Sequence, residues 1–250
     1  MDQARSLSHL HRYAACLCVA VVVALIPMPR RLSAAPAVDP RATAAMQRFF
    51  ERTTSAQQYS ASRRLEASGK GHQGWLDVET EFNAAMGLSY HVTAEGGSGY
   101  IRSRVLRSLL DAEQNLIARG DSASVALSTD NYQLTPNGID AQGLALIDMR
   151  PLRKDRSLIT GGMFLTMDGT LVRVEGRLAK NPSFWVSRVS VVRTYRRLNG
   201  VLMPVSLDTT AQLRLFGSSA LRMTYRYARI DEREVVNEPD DRTDAQVVLR

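Results

Sequence analysis

The chain has 250 residues, 44% of them apolar, 6% aromatic and 23% charged, which excludes a disordered chain and a membrane bundle. Its 32 Lys+Arg against 25 Asp+Glu leave a net charge of +7. Both cysteines, Cys16 and Cys18, and two of the four histidines, His9 and His11, stand near the N-terminus. Once that segment is removed, disulfides, cysteine-ligated zinc, iron–sulfur clusters and a catalytic cysteine are excluded with it.

Removal is what the segment itself predicts. Arg5 and Arg12 precede an uncharged stretch over 13–29 that is rich in Ala, Val, Leu and Cys. After Arg30 and Arg31 comes Ala35-Pro36-Ala37. A basic start, an apolar middle and an A-x-A site are the parts of a secretory signal peptide. The rival is a retained inner-membrane anchor. Its apolar core over 14–26, ended by Pro27 and Pro29, is short of the roughly 20 residues that span a bilayer. A lipoprotein box at Cys16 or Cys18 lacks a preceding apolar run. The expected organisation is a signal peptide over 1–37, one folded domain over 38–237 and a loose acidic tail over 238–250. The mature chain is then periplasmic, with its charge reduced from +7 to +4 by the loss of four Arg and one Asp.

From 40 to about 54, Ala42, Ala45, Met46, Phe49 and Phe50 recur at steps of three and four, one stripe of an amphipathic helix. After a Ser/Gln-rich link over 55–58 the period becomes two. Leu76, Val78, Thr80 and Phe82 alternate with Asp77, Glu79 and Glu81, and Leu88, Tyr90 and Val92 with Ser89, His91 and Thr93. Both segments read as half-buried antiparallel strands. A Gly-rich break at Gly96-Gly97-Ser98-Gly99 opens a second helix. Its stripe is Ile101, Val105, Leu109, Ala112 and Leu116, with Ser98 as N-cap and Gly120 as stop.

Six further strands are expected near 143–152, 158–167, 170–179, 184–197, 201–215 and 220–229. Asp168-Gly169 and Asn199-Gly200 read as two-residue hairpin turns, Asn181-Pro182 and Gly217-Ser218-Ser219 as looser ones. Val172, Val174 and Leu178 oppose Arg173, Glu175 and Arg177. Leu221, Met223, Tyr225 and Tyr227 oppose Arg222, Thr224 and Arg226. The fold class is therefore mainly β (α+β): a curved antiparallel sheet forming an open half-barrel covered by two helices.

Three stretches carry a resemblance. They are Glu95-Gly96-Gly97-Ser98-Gly99 running into the Arg-rich helix, Lys180-Asn181-Pro182-Ser183-Phe184-Trp185, and Leu198-Asn199-Gly200-Val201-Leu202-Met203-Pro204. With the order of elements, they make the chain resemble the periplasmic outer-membrane lipoprotein-sorting proteins, the LolA-like half-barrels, from about Met46 to Ile230. These are turn and packing motifs rather than chemistry. The resemblance implies a concave apolar surface that holds acyl chains or a lipidated partner, without a cofactor. The residues expected to line it are Leu76, Val78, Phe82, Leu88, Tyr90, Val92, Val105, Leu109, Val172, Val174, Leu221, Met223 and Tyr225.

Chemistry is otherwise sparse. Gly96-Gly97-Ser98-Gly99-Tyr100 has Tyr where a nucleophile elbow needs Gly, and no histidine follows His91. The same turn could hold an anion on Gly97 and Ser98 with Arg102 and Arg104, although helix N-termini usually cap themselves. Glu79 and Glu81 share a face at a spacing that paired-carboxylate glycosidases use, but it is the wet face. His72 and His91 have no third ligand, so no metal is expected. Arg173, Arg177, Arg188, Arg214, Arg222 and Arg226 recur on polar faces. They read as a solvated surface or as one attracted to anionic lipid headgroups. Nucleic acid is excluded, because the aromatics do not interleave with that stripe. The expected protein is a non-enzymatic lipid or lipoprotein carrier. A protein-binding sensor module on the same fold and a secreted carboxylate-dependent hydrolase are its rivals.

Overall fold

A computed structural model describes residues 39–181, 186–214 and 217–236. The expected signal peptide over 1–37, the tail over 238–250 and the Pro182–Trp185 part of one resembling motif lie outside the described residues.

Asp39 starts helix α1 (Pro40–Arg52) by accepting the Arg41 backbone N–H at 2.8 Å, and Pro40 takes the position that needs no N–H. Ala42, Ala45 and Phe49 are buried as their spacing predicts. Phe50 departs from the stripe and is 39% exposed, its ring edge against Phe49 at 5.1 Å. One step around the helix from Phe49 is 100°, enough to carry a side chain off a narrow stripe.

A meander follows: β1 (Gln58–Gly69), β2 (His72–Asn83) and β3 (Gly87–Gly97). The second helical run is not uniform. It consists of α2 (Gly99–Ile101), a π-helical turn (Arg102–Arg107) and α3 (Ser108–Ala118), and it stops at Gly120 with φ +72°. A π turn bonds at five residues rather than four. The buried stripe therefore runs Ile101, Leu106, Leu110, not Ile101, Val105, Leu109 as constant helical spacing predicts. Val105 and Leu109 are half-buried, and Ala112 is exposed.

The second half is strand throughout: β4 (Tyr132–Ile139), β5 (Ala145–Pro151), β6 (Ile159–Leu165), β7 (Leu171–Leu178), β8 (Val186–Leu198), β9 (Val201–Leu213), β10 (Gly217–Ile230) and the short β11 (Arg233–Glu234). Asn199 and Gly200, both with positive φ, make the two-residue turn as expected. Asp168-Gly169 does not. Thr166 closes on Thr170 there, with its N–H donating to Thr170 O at 2.9 Å, around a three-residue loop whose Gly169 is left-handed.

The sheet order is β3-β2-β1-β10-β9-β8-β7-β6-β5-β4, with β11 on β10 and every pairing antiparallel. β3 and β4 are its two edges, joined in sequence by the second helical run. The sheet is not closed into a barrel. Both helices lie on one face. Val174, in the cluster under α1, stands opposite Arg193, whose strand sends Val189 and Val191 into the cluster under the second helix.

Candidate functional site

The covered face holds two large apolar clusters. Under α1, Ala42, Ala45 and Phe49 meet Ile147, Met149, Met163, Leu165, Leu171 and Val174. Under the second helix, Ile101, Leu106 and Leu110 meet Leu65, Leu76, Val78, Val191, Leu207 and Met223. Nine of the thirteen expected wall residues belong to this second group. Leu76, Val78 and Met223 are buried in it, while Tyr90, Val92, Val105, Leu109, Leu221 and Tyr225 are half-buried against it.

The other four are dispersed. Val174 is buried under α1. Leu88 is buried at the start of β3, where its carbonyl accepts from Gln114 Nε2 at 2.9 Å. Phe82 stacks on Tyr59 at 5.1 Å beside a groove of about 760 Å3 that also touches Leu88. Val172 does not share the face of Val174. Phe164 pairs with Arg173 and Leu165 with Leu171, so Val172 is the extra residue of a bulge and Leu171 takes its inward place.

The second helix is fastened to the sheet at its rim by polar contacts. Arg102 and Arg107 both donate to Glu95, which points inward opposite Leu76. The π turn puts those two arginines, five residues apart, on one side of the helix. Tyr90 donates its hydroxyl to Asp111 Oδ1 at 2.6 Å, and Arg63 Nη1 donates to Glu113 Oε2 at 2.6 Å.

Arg63 is the feature that sequence patterning missed. It occupies an inward position of β1 between Ala61 and Leu65, and its side chain has no exposed surface. Its second nitrogen, Nη2, donates to the Tyr59 hydroxyl at 3.0 Å, and the guanidinium lies 4.8 Å above the Tyr225 ring. Burial opposes the charge of Arg63, but Glu113, Tyr225 and Tyr59 together outweigh it and raise its pKa. Arg193 lies on the same face, opposite Val174 on one side and Leu207 on the other. Tyr195 most of all, then Tyr225 and Glu113, hold it protonated against the cost of burial. Strand parity signals both residues: each stands two positions from inward apolar neighbours, Ala61 and Leu65 for Arg63, Val191 and Tyr195 for Arg193.

The glycine turn does not gather the expected anion group. Ser98 is at the N-cap position, but its hydroxyl makes no capping bond; its backbone N–H donates to Gln73 O at 2.7 Å. Gly97 has φ +78°, and a Cβ there would stand 2.4 Å from Gln73 O, so only glycine fits. Arg102 is held by Glu95 and Arg104 is exposed. On the outer face Glu79, Glu81 and His91 are exposed, and His72, the first residue of β2, is exposed as well. Among the described residues no group of three His, Cys, Asp or Glu could hold a metal.

The outer arginines are partly neutralised. Arg173 pairs with Glu175 at 3.0 Å and Arg222 with Asp208 at 2.6 Å. Arg177 and Arg188 instead line, with Arg150, an outer groove of about 630 Å3.

No protein-family model matches the chain, and no curated protein sequence does. Similar structures have been solved. A DUF1329 family protein from Desulfovibrio piger is 9% identical, covering 76% of this chain and 91% of its own, with a TM-score of 0.38. A second, from Nitrosomonas europaea, is 8% identical, covering 79% of this chain and 94% of its own, with a TM-score of 0.40. It is a LolA superfamily protein. MucB in complex with MucA(peri) is 10% identical, covering 74% of this chain and 93% of its own, with a TM-score of 0.22. None of the three assigns a ligand to this chain.

Proposed function

We propose that this domain is a non-enzymatic periplasmic carrier that holds the acyl chain of a lipid or lipoprotein between the second helical run and the sheet. What carries the reading is how that helix is fastened. Three side chains, Ile101, Leu106 and Leu110, supply its buried apolar contact, while ion pairs and hydrogen bonds at the rim do the rest. Burying those three contributes roughly 1.5–3 kcal/mol each, and a lipid tail contributes about 0.8 kcal/mol per methylene. On the order of ten methylenes would therefore offset the apolar part of lifting the helix from its seat, with the rim contacts to be offset in addition. Half-buried Tyr90, Val92, Val105, Leu109, Leu178 and Leu221 line the seam and offer area without directional bonding. Arg177 and Arg188, which make no ion pair among the described residues, suit attraction to anionic headgroups where such a tail is picked up or released.

Native mass spectrometry of mature protein purified from its own host tests the reading; an acyl-sized mass should accompany the protein. A fluorescent fatty acid should lose affinity for Met223→Trp, which fills the seam, and keep it for Ile147→Trp, which lies under α1 away from the seam. If the face is only core, both substitutions cost about 1–3 kcal/mol through overpacking. Two destabilised variants with unchanged probe binding would overturn the proposal, as would wild-type protein that carries no acyl mass and binds no probe.

A further inference from the structure

We propose that the seam selects amphiphiles with a carboxylate head, and that Arg193, supported by Arg63, binds that head. This rests on the carrier reading and names its ligand class. Two guanidinium groups, Arg63 and Arg193, stand on the covered face, and the one carboxylate acting on both is Glu113. Glu113 is committed to Arg63 at 2.6 Å. Among the described residues no carboxylate lies within 4.0 Å of Arg193, and the Nε atoms of both arginines are sealed from water without a hydrogen-bond partner.

A guanidinium cannot shed its proton to escape burial, so a second cation on this face is costly until an anion joins it. The position of Arg193 says which anion. On its own strand stand Val189 and Val191 of the cluster under the second helix; opposite it stands Val174 of the cluster under α1. An acyl tail lying beside Met223 and Leu207 would bring its head to the junction of the two clusters, where Arg193 stands. The planar fork of a guanidinium matches the two oxygens of a carboxylate.

The experiment compares palmitate with hexadecanol, equal in chain length and different in head, by calorimetric titration of the mature protein. Wild type should bind palmitate about tenfold or more tightly than hexadecanol, the worth of a charge-assisted hydrogen bond. Arg193→Leu should abolish that preference and leave hexadecanol binding unchanged, while Arg193→Lys keeps part of it by keeping the charge. Unliganded Arg193→Leu should melt at or above the wild-type temperature, because it removes a charge on the covered face that no carboxylate of the described residues pairs within 4.0 Å.

Equal binding of both ligands by wild type would overturn the head assignment and leave the carrier reading intact. So would a palmitate preference that survives Arg193→Leu. Binding of neither ligand would overturn the carrier reading itself. Inorganic phosphate alone should leave the melting temperature unmoved. A phosphate-dependent rise that Arg193→Leu removes would make this a free-anion site and overturn the proposal.

Discussion

Tyr90 reaches from β3 to Asp111 on the helix, and desolvation with that hydrogen bond pushes its pKa up to about 12. Tyr225, beneath Arg63, is pushed to about 12 as well, by burial first and by Glu113 second. An unfolded tyrosine ionises near pH 10. The folded state thus holds the neutral form longer than the unfolded chain does. Its contribution to stability is complete below about pH 10 and is lost as pH rises through 12. Ultraviolet titration of tyrosinate should show a late phase, and Tyr90→Phe and Tyr225→Phe should each remove part of it. A late phase that neither variant changes would mean the seam is open to water. The arginines near these tyrosines show why residue chemistry was only half legible. A charge in an alternating segment normally marks the wet face, so Arg63 hid the strand that carries it, and Arg193 hid which face of its strand turns inward.

The π turn has an equally local signature in the structure and none in the sequence. Ile101, Val105 and Leu109 are as good an apolar stripe on paper as Ile101, Leu106 and Leu110. What favours the second is that Arg102 and Arg107 can then share Glu95 while Glu113 still meets Arg63. Deleting exposed Ser103 should convert the run to unbroken α-helix and keep Leu106, Leu110 and Glu113 inward. Its melting free energy should change by no more than about 1 kcal/mol. Deleting exposed Ala112 instead should turn Glu113 away from Arg63 and cost about 3 kcal/mol, the lower end for stranding a buried ion. Equal losses in both deletions, read from denaturant unfolding, would show that the π turn is needed for its own sake. At this scale the strands of the second half were largely legible, because Asn199-Gly200 and the apolar alternation punctuate them. β1 and β4 were not: Arg63 interrupts the first, and Pro136 with Asn137 removes strand character from the second.

On the scale of the molecule, the hairpins follow from neighbouring sequence, but nothing local announces that β1 pairs with β10. That pairing joins Tyr59 to Ile230 and Gly69 to Ser219 and turns two separate meanders into one sheet. Until β10 is in place, Leu65 has no Met223 opposite it, and the first three strands have a second edge, β1, open to water. Closing so long a loop is slow, since its entropy must be spent before any contact repays it. A chain ending at Leu213 should therefore give no cooperative thermal transition and should aggregate through its open edges. A sharp melt from that fragment would show that one of the two meanders stands alone. The consequence concerns timing. In a growing polypeptide with this wiring the first three strands wait through most of synthesis for a sheet to join, and the event that ends this wait is the arrival of its last long strand.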